Sequence, residues 1–120
     1  MTAGPPFEAE PIYHIALQSD WESAQARGEY RISTRGRTLA DEGFIHCSHP
    51  GQVGGVFNAF YADVTEPVVL LSIDPSLLDV PVVDEMAMPG SAPGSSGAEL
   101  FPHVYGPLPV AAVIAVHPYP

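Results

Sequence analysis

The chain has 120 residues, 46% of them hydrophobic, which is the size of one compact domain with enough apolar side chains for a real core. Its 14 acidic residues face four arginines and no lysine, a formal charge of -10 that disfavours nucleic acid and anionic membrane surfaces, since both repel a net anion. A single cysteine excludes an internal disulfide framework, and no apolar run approaches the ~20 residues needed to span a bilayer.

Residues 1–10 are rich in Pro, Gly, Ala and Glu without periodicity, so they are expected to form a flexible lead to a single domain over 11–120. The stretch has neither a charged n-region nor an apolar h-region, and the expected location is the cytoplasm. The apolar run "PIYHIAL" (11–17) predicts a buried strand with His14 set into it. A short helix over 19–28 follows, with Ser19 and Glu22 spaced as a capping box and Gly28 as the stop. "EYRIS" (29–33) alternates as a strand, and "RTLADEG" (37–43) makes a helical turn ended by Gly43.

"GFIHCSHP" (43–50) then crowds two histidines, the cysteine and a serine into a strand-to-helix corner, with Ser48 or His49 as cap and Pro50 in the first helical turn. Val53, Val56, Phe57, Phe60, Tyr61 and Val64 recur at helical spacing and predict an amphipathic helix. Further strands are expected at 67–74, 80–88 and 110–116, with one helical turn at 75–79. The Pro/Gly/Ser-rich 89–99 segment reads as a mobile loop placed to act as a lid over "LFPHVYGPL" (100–108). Roughly six strands and two main helices give an α+β fold.

All four arginines, Arg27, Arg31, Arg35 and Arg37, fall in one short segment. Guanidinium suits bidentate contact with phosphate or carboxylate, so the segment either receives an anionic ligand or pairs with Glu22, Glu29, Asp41 and Glu42.

Three histidines lie in or beside predicted strands: His14, His46 and His103. A buried imidazole needs partners for both nitrogens, so three such positions in a small domain suggest a shared cleft. Three imidazoles around an open position describe a catalytic zinc site, but the separations of 32 and 57 residues fit no compact ligand pattern, and no metal is expected. Cys47 near a helix N-terminus suggests a Cys–His nucleophile. Strand alternation opposes it, sending Cys47 to the core while His46 and Ser48 share the other face. A helix N-terminus beside His46, Ser48 and the arginines could instead hold a phosphorylated ligand.

"IYHIALQSDWESAQARGEYR", "LADEGFIHCSHPGQV" and "LFPHVYGPLPVAAVIAV" resemble the bacterial domain of unknown function 952 family over 11–116. More distantly, "YHI" before a short helix and "HCS" on a second strand are similar to the opening of the ADP-ribosyltransferase superfamily, including its RNA 2'-phosphotransferases. That resemblance implies two small split sheets with NAD in the cleft between them. It implies that His14 hydrogen-bonds a ribose, that His46 stands beside the nicotinamide, and that His103 is nearest the third catalytic position, where protein-modifying transferases carry glutamate. Glu99 substitutes there only if its loop folds inward.

On this basis the candidate acid–base groups are His14, His46 and His103, with His14, Tyr13, Ser48, Arg35, Arg37 and Tyr105 binding a small nucleotide such as NAD or ADP-ribose. A non-catalytic binding module with a polar histidine pocket is the alternative, and a His-liganded metalloenzyme is the third reading.

Overall fold

The computed structural model describes residues 10–86 and 99–120. Nine residues of the expected lead and all of the expected lid except Glu99 lie outside the described residues. The fold is α+β: among the described residues every strand pairing is antiparallel, in four small sheets.

Strand β1 (Ile12–Leu17) runs into helix α1 (Gln18–Arg27). The helix begins two residues earlier than the Ser19 cap predicts, and its N-cap, Leu17, makes no side-chain cap, so the expected capping box does not form. Its stop is as expected. Gly28 adopts φ 88°, a left-handed conformation that costs a residue with a Cβ, and its N–H closes on Ala24 C=O.

The next strand splits into β2 (Glu29–Tyr30) and β3 (Ile32–Thr34), the latter turning back onto β4 (Arg37–Thr38). Helix α2 (Leu39–Glu42) carries a capping box that the sequence reading missed, between Thr38 and Asp41, and ends at Gly43 with φ 87°.

Strand β5 (Ile45–His46) leads to a 3₁₀ turn (Pro50–Gln52) and helix α3 (Val53–Phe60). The start of this turn is secured by the Gln52 side chain, which accepts from His49 N–H at 2.9 Å, and Pro50 sits in the first turn as expected. The helix stops at Phe60, before the predicted Val64. β6 (Val68–Ile73), β7 (Val82–Met86) and β8 (Leu100–Val104) follow. The predicted last strand, 110–116, opens as a 3₁₀ turn (Val110–Ala112) and becomes β10 (Val113–Pro118), and β9 (Leu108–Pro109) lies just before it. The strands therefore number ten among the described residues, where six were expected: the 29–33 run splits in two, and β4, β8 and β9 form where no strand was predicted.

β1 lies beside β6, which pairs with β10 on its other side. Alternation along β1 separates two cores. Ile12 and Ala16 face one that contains Trp21, Tyr30, Ile45, Cys47, Leu71, Val104 and Leu108, while Ile15 faces another with Val53, Val56, Tyr61 and Phe101. Each fully buried leucine or isoleucine of this kind stabilises by ~1.5–3 kcal/mol. The second three-stranded sheet, β5-β8-β7, abuts β1 through a bridge at Tyr13 and Ser48. Tyr13 N–H donates to Ser48 C=O at 2.8 Å and Ser48 N–H returns to Tyr13 C=O at 2.7 Å, which carries the corner across the gap between the sheets. No helix among the described residues is long and apolar enough to cross a membrane.

Candidate functional site

The register of the second sheet places His46 directly opposite His103, and cross-strand partners project to the same face. Their rings meet: His46 Nδ1 and His103 Nε2 are 3.2 Å apart. His103 Nδ1 in turn lies 2.8 Å from the Glu85 carboxylate on β7, which also accepts a hydrogen bond from the Tyr105 hydroxyl. Phe44, delivered by the Gly43 turn, stacks on His103 at 3.9 Å between centroids and shields that ring from solvent.

On the other side, β1 presents His14, whose Nδ1 donates to the His46 carbonyl oxygen at 2.7 Å. The Tyr30 hydroxyl meets His14 Nε2 at 2.9 Å. The three histidines expected to share a cleft form one connected array running from Tyr30 to Tyr105, but only His14 and His46 line a common pocket, and His103 stands behind His46.

The array flanks a small pocket lined by His14, Ile15, Ser33, Thr34, His46, Ser48, Val56 and Tyr61. Its interior has room for a water-sized guest. Two buried side-chain atoms among the described residues have no hydrogen-bond partner, Ser33 Oγ and His46 Nε2, and both belong to residues of this lining. Buried polar atoms are seldom left unsatisfied, because each forfeits its hydration. Two of them around one pocket call for a guest that hydrogen-bonds.

Burial also sets the charge of the array. Desolvation lowers His14 to about 4, against a smaller opposing effect of its bond to the His46 carbonyl. Desolvation, with repulsion from His103 and His14, lowers His46 to about 3. Both rings are neutral near pH 7. Glu85 is held below the usual carboxylate range by its hydrogen bonds from Tyr105 and His103, and Tyr105 is raised by the same contact. Burial pushes the Cys47 thiol far up, so it is a core residue and no nucleophile, as alternation predicts.

The remaining candidates divide. Ser48 lines the pocket beside His46. Tyr13 is half-buried and packs toward the second core, and is not part of the lining. Tyr105 sits at the outer end of the array, joined to Glu85. Arg35 pairs with Asp63 at 2.7 Å and Arg37 with Glu42 at 2.9 Å, both outside the lining, and Arg31 pairs with Glu29. These guanidinium groups are therefore engaged by carboxylates where a phosphate contact was expected. Glu99 is bonded by the Gln52 amide at 3.3 Å and stands away from the pocket.

Sequence reasoning missed Glu85, Tyr30, Phe44, Ser33 and Tyr61. Tyr61 was read as one apolar position of a helix. It caps that helix instead, and its hydroxyl donates to Ile15 C=O at 3.1 Å while accepting from Arg35 N–H at 2.9 Å, which ties the pocket wall to β1. No group of three or more metal-binding side chains is assembled among the described residues: His46 and His103 meet ring to ring, whereas the His14 ring bonds the His46 carbonyl and the Tyr30 hydroxyl.

Among solved structures, the chain is similar to protein CC0527 from Caulobacter crescentus. The crystal structure superimposes with a TM-score of 0.72 at 27% identity, covering 90% of this chain and 84% of that one. The solution structure of the same protein gives a TM-score of 0.61 at 27% identity, over 88% and 81%. No curated protein matches the chain. The sequence pattern of DUF952, described as a protein of unknown function, matches residues 15–116, and the chain belongs to that family.

Proposed function

We propose that the pocket receives a hydroxyl-bearing edge of a small nucleotide of the NAD or ADP-ribose class, and that the chain is an enzyme or enzyme-derived domain acting on such a ligand. One observation carries the reading: the two unpartnered buried polar atoms, Ser33 Oγ and His46 Nε2, both belong to the pocket wall. A ribose hydroxyl offers a donor to the imidazole and an acceptor or donor to the serine. The interior accommodates one such group and not a whole dinucleotide, so the rest of the ligand would lie outside it. His14 steadies the site by holding the His46 carbonyl, and Ser48 presents a second hydroxyl beside it.

A second reading, a non-catalytic binding module, has its own support. His46 is so weak a base that it suits accepting a hydrogen bond better than removing a proton at neutral pH, and among the described residues no carboxylate lines the pocket. The diphosphate of NAD would also find Arg35 and Arg37 already engaged by carboxylates.

Thermal unfolding with millimolar NAD and ADP-ribose tests the first reading. The melting temperature of the native chain should rise, His46→Ala should abolish the rise and Ser33→Ala should reduce it. A folded protein with no shift for either ligand would defeat the reading. Release of nicotinamide on incubation with NAD separates an enzyme from a binder, since a module binds without turnover.

A further inference from the structure

The array does more than join residues; it decides which face of His46 the pocket sees. An ionised carboxylate can only accept, so with Glu85 2.8 Å from His103 Nδ1 the proton of His103 belongs on that nitrogen. In the neutral ring His103 Nε2 is then a lone pair. Its partner at 3.2 Å, His46 Nδ1, must be the donor, and His46 Nε2 is left as a bare acceptor. The neighbouring histidine obeys the same logic. The His46 carbonyl fixes the proton on His14 Nδ1, and the Tyr30 hydroxyl, which burial keeps protonated, supplies the hydrogen at His14 Nε2.

We infer that Glu85, on the surface strand β7, is a positioning residue that fixes the His46 tautomer through His103, and that the pocket consequently admits a hydroxyl or N–H donor and rejects carbonyl, carboxylate and phosphate oxygens at His46 Nε2. The inference deepens the nucleotide reading, since it names the ligand atom that enters as a hydroxyl and not a phosphate oxygen. It is nonetheless decided on the free protein, so it can fail while ligand binding stands, or hold while NAD and ADP-ribose fail to bind.

The groups that face the two rings are consistent with this assignment. Phe44 and Phe101 lie against His103 and His46 respectively and offer neither ring a competing donor or acceptor in the plane. Tyr105 donates to the same Glu85 oxygen that His103 uses, which holds the carboxylate in place. Glu85 itself is about a third exposed, so the tautomer of a buried pocket residue is set by a group that solvent reaches.

The test is long-range nitrogen–proton correlation of the imidazoles in nitrogen-labelled protein at mildly alkaline pH, where a free imidazole is neutral. The native chain should show His46 and His103 both protonated at Nδ1. Glu85→Gln keeps an amide oxygen that can accept from both His103 and Tyr105, and should preserve this pattern. Glu85→Ala removes the acceptor, and the Nε2-protonated form of His46 should become populated. A merely structural role for Glu85 would leave the His46 tautomer unmoved in a folded Ala variant, which overturns the inference. Nε2 protonation of His46 in the native chain also overturns it, and needs no variant at all.

Discussion

Acidification should unfold this protein earlier than its carboxylates alone would dictate, because His14 is buried and His46 largely so, and both rings are uncharged in the fold. In the unfolded chain each imidazole titrates near 6.5, whereas in the fold His14 is lowered to about 4 and His46 to about 3. Between these values the unfolded chain binds more protons than the native one, so stability is complete above pH 6.5 and falls as the pH drops through the window. The loss from His14 ends near 4 and that from His46 near 3. At about pH 5 each ring has forfeited about 2 kcal/mol, from ~1.4 kcal/mol per pH unit, and the pair about 4 kcal/mol. That is a large share of the ~5–15 kcal/mol by which a domain is stable. The lowered carboxylates Asp41, Asp63 and Glu85 act with the same sign but only at lower pH, below their ordinary ranges. Urea unfolding at about pH 7.5 and about pH 5 measures the difference directly, and His14→Gln should remove close to half of it. A loss under about 1 kcal/mol in the native chain, or an unchanged loss in the variant, would refute the claim that both rings are buried neutral.

Two substitutions probe the supports of the array. Tyr30→Phe keeps a ring that is 1% exposed but strands the His14 Nε2 acceptor, and should cost about 1–3 kcal/mol in urea unfolding. Gly43→Ala meets no atom within 4 Å, yet φ is 87°, so the backbone alone should cost about 1–2 kcal/mol, read as a lower unfolding midpoint.

The legible parts of the fold were those governed by local chemistry. Gly28 and Gly43 stop their helices because only glycine takes a positive φ without strain, and the apolar run of β6 can only be central. Alternation alone placed Cys47 in the core and His46 with Ser48 on the pocket side. Long-range register was not legible. Nothing local distinguishes Glu85 from Asp84, yet one neighbour reaches His103 and the other pairs with His49 at 2.7 Å. The difference is only which face of β7 each residue occupies opposite β8. Tyr61 was similarly concealed, since helical spacing describes a ring packed on a core and says nothing of a hydroxyl that reaches Ile15. The arginine segment misled for the opposite reason: its clustering is conspicuous in sequence, but Arg31 and Arg37 pair with carboxylates no more than five residues away.

The central claim is that His46 Nε2 is an acceptor awaiting a ligand donor. Titration of ADP-ribose and NAD into nitrogen-labelled protein, following the His46 ring, tests it most directly. A saturable shift at His46 Nε2, with smaller changes at His14 and at the Ser33 amide and none at the exposed His117, is the predicted result. Saturating binding that leaves His46 unmoved, or no response of any residue at millimolar ligand, would contradict it.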